Sequence, residues 1–285
     1  MRLPIARLVG AAAICALAAD PAAAAPPKPA VEIKDAVVQV TVIPENRTDV
    51  RIEIVTQNRA LPLKLKAMRS RTVIDGGLDG KKIRNCRGGG DAVVVRVAEV
   101  GDVALKDMPH IVVHAPLDVD VSAGGAVFGV IGRARNVTLG AAGCGDWTVA
   151  NVEQLLRINM AGSGDARAGS AGEAELRVAG SGDVATADIR GRLDVDMAGS
   201  GNVRVKSMTG LLDVHMAGSG DVLVQDGRAS AMNVSMAGSG NMVFGGVADT
   251  LTARIAGAGD VRARQVRGQV RKTVVGSGTV KIGAP

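Results

Sequence analysis

The chain has 285 residues, 38 of them glycine, with no tyrosine, one tryptophan and two phenylalanines. Sugar-stacking clefts and single-stranded nucleic-acid grooves lean on aromatic platforms, which this composition cannot build, so nucleic acid is not expected as a partner. The formal charge of +6 gathers toward the ends: nine Lys or Arg lie between Arg59 and Arg87 and six follow Asp260, while Met160 to Thr250 holds seven bases against eleven acids. Basic ends read as solvated charge that discourages end-to-end stacking, with contact to anionic envelope polymers or lipid headgroups as the other reading.

Residues 1–24 read as a secretory signal peptide. Arg2 and Arg7 make a positive start, Leu8 to Ala19 an apolar run, Pro21 a break, and Ala22 to Ala25 a small-residue cleavage zone. The run is too short to span a bilayer as a mature helix, and no transmembrane segment is expected after it. Ile14 before Cys15 fits a lipoprotein cleavage box badly. The expected location is therefore exported: periplasmic, cell-surface or extracellular, with the Ala-rich leader looking bacterial.

Residues 25–118 read as irregular N-terminal β coils with a cap, continuous with the repeat region as one domain. Val31 to Gln57 gives two strands about a Pro44-Glu45-Asn46-Arg47 turn, and short strands lie at Val93 to Val97 and Ile111 to Val113. His110 and His114 share one strand face but lie ~13 Å apart at strand rise, too far for a shared metal.

Residues 119–285 are dominated by a repeat. The motif AGSGD and its variants place a first glycine at Gly143, Gly162, Gly180, Gly199, Gly218, Gly238, Gly257 and Gly276, at spacings of 18 to 20 residues. A weaker copy stands at Gly124-Gly125. Before each glycine, apolar residues recur two, four and six positions upstream, as in Leu193, Val195 and Met197, with polar residues between them. This period-2 alternation marks a strand with one buried face. After the glycines Val184, Val203, Val222, Met242, Val261 and Val280 form a further column. Val205, Val224, Phe244, Ala263 and Ile282 form another, and Ile189, Met208, Val247 and Val266 belong to a third.

One such coil cannot bury its own apolar side, whereas stacked coils bury like on like at ~4.8 Å spacing. The expected fold is all-β: a right-handed parallel β-helix, or β-solenoid, with ~19-residue coils. Lys272 interrupts an inward column in the last complete coil, where a polar cap is expected.

The corner itself resembles a ligand loop. A nucleotide phosphate loop is excluded, because a strand rather than a helix comes next and the Lys and Thr are missing. The acids Asp146, Asp165, Asp183, Asp221 and Asp260 stack near the corners, which raises calcium. Calcium β-rolls, however, use a nine-residue period, and Asn202, Asn241 and Thr279 interrupt the acidic column. The preferred reading is structural: glycine takes positive φ, Asp and Asn tolerate left-handed backbone and bond their own turn, and the Ala before each glycine lets corners approach closely. No cofactor is expected.

Cys86 and Cys144 remain after export, an even pair in an oxidising compartment, and read as one structural disulfide. Cys144 occupies the Ser position of its corner, so the bond pins an early corner to the segment around Cys86.

The AGSGD/AGSGN corners, the opening IKDAVVQVTVIPENRTDV and the NC…GCGDWT pair resemble exported bacterial proteins of the family "putative auto-transporter adhesin, head GIN domain". The resemblance implies a right-handed β-helix and an envelope or extracellular location, and it carries no catalytic residues. No run of strands with aromatic girdles, as an auto-transporter barrel needs, comes after the repeat. The function expected is that of a non-enzymatic structural, adhesive or interaction module, with envelope glycans or other proteins as partners. Its contact surface would be the outward Asp194, Asp196, Asp213, His215, Arg204 and Lys206. The alternatives are a polysaccharide-active β-helix enzyme, which needs placed carboxylates in a cleft, and a calcium-binding repeat protein.

Overall fold

The structure, a computed structural model, describes residues 29–68, 70–79 and 82–283; the signal-peptide reading and Cys15 lie outside the described residues. The first nine strands are β1 (Ala30–Glu45), β2 (Arg51–Thr56), β3 (Lys64–Ala67), β4 (Arg71–Asp75), β5 (Ile83–Arg87), β6 (Val94–Val97), β7 (Gly101–Ala104), β8 (His110–Pro116) and β9 (Asp118–Ile131). Then come β10 (Asn136–Gly143), β11 (Trp147–Val149), β12 (Leu155–Gly162), β13 (Ala166–Ala168), β14 (Glu173–Gly180), β15 (Val184–Ile189) and β16 (Leu193–Gly199). The chain finishes with β17 (Val203–Gly218), β18 (Val222–Gly238), β19 (Asn241–Ala248), β20 (Leu251–Gly257), β21 (Asp260–Val266), β22 (Val270–Val275) and β23 (Thr279–Ile282).

From β9 onward every strand pairs in parallel with its equivalent one period away. Leu193, Val195 and Met197 of β16 lie opposite Leu212, Val214 and Met216 of β17, and glycine meets glycine at Gly199 and Gly218. The weak copy joins the series, since Gly143 pairs with Gly125. The result is a β-solenoid of about nine turns with coils of about 19 residues.

The core is a set of ladders down the axis. Leu156, Leu176, Leu193, Val195, Leu212 and Val214 are fully buried, each stacked on its neighbours in the same column. A fully buried aliphatic side chain is worth about 1.5–3 kcal/mol, and a coil collects that only when coils stand on both sides. The last coil shows the difference: Val270 and Val274 of β22 occupy inward columns yet stay 38% and 37% exposed. Lys272 between them is exposed too, as a polar cap requires.

Two large rings are accommodated by small neighbours. Trp147 lies opposite Gly129, where a Cβ would run into the indole ring. Phe244 packs between Val224 and Ala263.

The third inward column differs from expectation by one residue. Val247 is half-buried and lies opposite Arg228, while Ala248 points inward between Ala229 and Val266. The register shifts between Phe244 and Val247, across Gly245-Gly246. Two residues without side chains let the strand bulge there, so the count from the corner is no longer in phase.

At the N-terminal side β1 lies parallel to β9 on one edge and to β4 and β8 on the other. Antiparallel pairs then take over, β2 with β8 and β3 with β4, and β5-β6-β7 form a separate antiparallel sheet. That sheet covers a second small core of Val37, Leu61, Val93, Val95, Met108 and Ala126. The disulfide between Cys86 and Cys144 joins it to the corner after β10, with a Cα separation of 6.2 Å.

Candidate functional site: the corners and the faces between them

The glycine corner resolves into backbone geometry. Gly218 has φ of +137°, which L side chains rarely adopt. Gly220 has no such φ, but a Cβ there would collide with the carbonyl oxygen of Gly201 one coil earlier. The first glycine must turn, and the second must let the coils touch. The polar backbone of the corner is spent on stacking: the Ser219 and Gly220 N–H groups both donate to Gly199 O, at 3.0 and 3.3 Å.

The corner acids do not bond their own turns. Their acceptors reach the next coil: the backbone N–H of Asp165 donates to Asp146 Oδ1, that of Asp183 to Asp165 Oδ1, and that of Asn202 to Asp183 Oδ1. The same step recurs from Asp221 to Asn202, from Asn241 to Asp221, and from Thr279 to Asp260. Nor do these residues use left-handed backbone, since the positive-φ non-glycine residues among those described are Asp35 and Glu99. The carboxylate or amide column is a second ladder outside the backbone ladder. An acceptor one coil away satisfies a donor that would otherwise face solvent, which is why Asp and Asn both suit the position, while Thr279 in the last coil donates to Asp260.

The interruptions of the acidic column also relieve repulsion. Asn202 Nδ2 and Asn241 Nδ2 donate to Asp183 and Asp221, at 2.8 and 2.9 Å, and Thr279 Oγ1 donates to Asp260 at 2.7 Å. Partial burial pushes the Asp183 carboxyl up, but the Asn202 and Arg204 hydrogen bonds outweigh it and hold the group below its usual range. Asp260 is held down by Thr279 and Arg262. Among the described residues no three His, Cys, Asp or Glu gather as a metal set. His110 and His114 bond separately, to Thr41 Oγ1 at 2.9 Å and Glu45 Oε1 at 2.8 Å.

The expected contact residues divide between two faces. Asp194, Asp196, Asp213 and His215 stand on the strands before the corner, in register as Asp194 with Asp213 and Asp196 with His215. Arg204 and Lys206 lie beyond the corner, paired with Asp183 and Asp188 at 3.1 and 3.9 Å. The first face is laced by ions across coils: Arg157 grips Glu175 through two bonds of 2.8 and 2.9 Å, Arg177 reaches Asp196 at 3.3 Å, and Arg192 bridges Asp194 and Asp213.

Sequence reasoning missed the shape of this face. The alanines before each glycine are exposed and in register, Ala161 with Ala179, Ala198, Ala217 and Ala237. The strand alternation turns the preceding Met inward, so Ala turns out, and its small side chain leaves a trough of about 510 Å³ bordered by Asp196, His215 and Ser235. The recurrence of Ala on that outward position, replaced by Val275 at the last corner, was the available signal.

Residues 185–284 match the family model described as "putative auto-transporter adhesin, head GIN domain". That stretch, about a third of the chain, is what resembles the family. Two solved structures from Parabacteroides distasonis ATCC 8503 share the fold over most of their length. One, called a putative adhesin, is 16% identical, with a TM-score of 0.54 over 89% of this chain and 92% of its own. The other, called a putative lipid binding protein, is 17% identical, with a TM-score of 0.54 over 90% of this chain and 94% of its own. No curated protein matches. At such identities the structural likeness speaks for the solenoid fold alone.

Proposed function

We propose that this protein is an exported, non-enzymatic β-solenoid that acts as an adhesin-like interaction module of the bacterial envelope, with the alanine-floored face as its contact surface. The observation that carries the reading is the flat, in-register trough edged by Asp196, His215 and Ser235, on strands paired in parallel on both sides. A surface whose backbone is locked on both sides loses little entropy on binding. The family match and the disulfide support an exported adhesin-like role.

The acids of this face support the non-enzymatic part of the reading: Glu175, Asp196 and Asp213 are each held by an arginine, Arg157, Arg177 and Arg192.

The test is a binding screen of residues 25–285 against envelope glycans, lipid vesicles and intact host cells, repeated with Asp196→Ala/His215→Ala. Binding that the double substitution weakens supports the reading. No binding to any of them, or binding indifferent to the substitution, would overturn it.

A further inference from the structure

Beyond the glycine corner the outward side chains of successive coils also form columns; Arg167 of β13 has no acid within ion-pair distance among the described residues, and the cations of the coils that come next are matched by acids. Arg204 meets Asp183, Lys206 meets Asp188, and Arg228 meets Asp249 at 3.1 Å. The last two coils break this rule. Arg262 of β21 lies directly opposite Lys281 of β23, a like-charge pair on neighbouring strands, which works against the fold. Arg262 has Asp260 at 3.0 Å, but Arg264 and Lys281 have no carboxylate partner among the described residues.

These three cations border a groove of about 760 Å³. Gly245 lies in its lining, where a Cβ would run into the backbone of Gln225 one coil earlier, and the Gln225 side chain is exposed at its margin. The volume suits a ligand of a few sugar rings. The lining offers no protruding apolar group for a lipid surface, since Phe244 is fully buried and Val243 half-buried. It offers no aromatic platform for a neutral sugar either, so recognition there must rest on charge.

We propose that this groove binds an anionic polysaccharide through its carboxylates, with Arg264 and Lys281 as the principal contacts, Arg262 as a third cation and Gln225 hydrogen-bonding ring hydroxyls. A guanidinium matches a carboxylate with two parallel hydrogen bonds. The bound anion would also neutralise the Arg262–Lys281 pair. The site goes beyond the adhesive reading, which concerns the face on the other side of the corner.

The experiment titrates residues 25–285 with fluorescent polygalacturonate, neutral dextran and phosphatidylglycerol vesicles, using Arg264→Gln/Lys281→Gln and the charge-matched control Arg133→Gln/Arg167→Gln. The control residues are exposed cations on other coils. The expected result is polygalacturonate binding that weakens about tenfold in the first variant and under about twofold in the control, with a shallower salt dependence in the first. Asp196→Ala/His215→Ala should leave this binding unchanged, so failure here and failure of the adhesive reading are distinguishable. Equal losses in the two charge variants, binding to vesicles alone, or no polygalacturonate binding would each overturn the proposal. Unfolding curves of both variants confirm that folded protein is compared.

Discussion

Asn241 places both its backbone N–H and its side-chain Nδ2 on one oxygen, Oδ1 of Asp221 in the coil before, at 2.8 and 2.9 Å. The corner acid is thus a bracket between coils. Asp221→Ala removes both bonds and should lower stability by about 1 kcal/mol, while Asp221→Asn keeps an acceptor oxygen and should cost less. Urea unfolding of the two variants measures the difference, and equal losses would count against the bracket.

The same bonds set a pH dependence. Asp183 and Asp260 have carboxyls held below their unfolded value of 3.8. A depressed folded pKa means that the contribution to stability is present above the unfolded value and is lost as pH falls through the folded one. Stability should therefore be flat on the neutral side and fall below pH about 4. Asp183→Asn should flatten that acid limb when unfolding midpoints are followed from neutral to acid pH. An unchanged limb would show that Asp183 is not linked to folding.

Gly129 leaves the space that the Trp147 ring fills. Gly129→Ala must displace a 1%-exposed indole, and overpacking of this kind costs about 1–3 kcal/mol. The expected readout is a lower unfolding midpoint with a shifted tryptophan emission, which is clean because the chain has one Trp.

The disulfide closes a span of 58 residues between the lateral sheet and the solenoid. The chain-entropy argument gives about 4 kcal/mol for a loop of that size. Cys86→Ser should expose the β5-β6-β7 sheet to proteolysis first, leaving the coils from β12 onward protected. Simultaneous loss of both parts would mean that the small core and the solenoid unfold as one unit.

The solenoid was legible because each structural rule repeats. Eight corners at a near-constant spacing, with Met, Val and Leu on alternate positions before each, leave parallel stacking as the way to bury those columns. Where repetition stops, legibility stops. The Val247-for-Ala248 slip lies where the bulge at Gly245-Gly246 changes the phase. The second core around Val95 and Met108 gave no periodic signal, and Cys86 alone hinted that something was fastened there. The corner Asp residues were read as bonding their own turns, whereas their oxygens accept from the next coil. A side chain's choice between its own turn and the next coil depends on stacking distance, which one copy of the motif does not reveal. The groove at Arg264 and Lys281 was visible only as an excess of bases.

The GSGD corners are built for stacking, with their donors and acceptors already used between coils. Thermal unfolding of residues 25–285 in calcium and in chelator tests this most directly. The same Tm is expected in both. A Tm about 5 °C or more higher in calcium would mean that the Asp column holds the ion, and would contradict it.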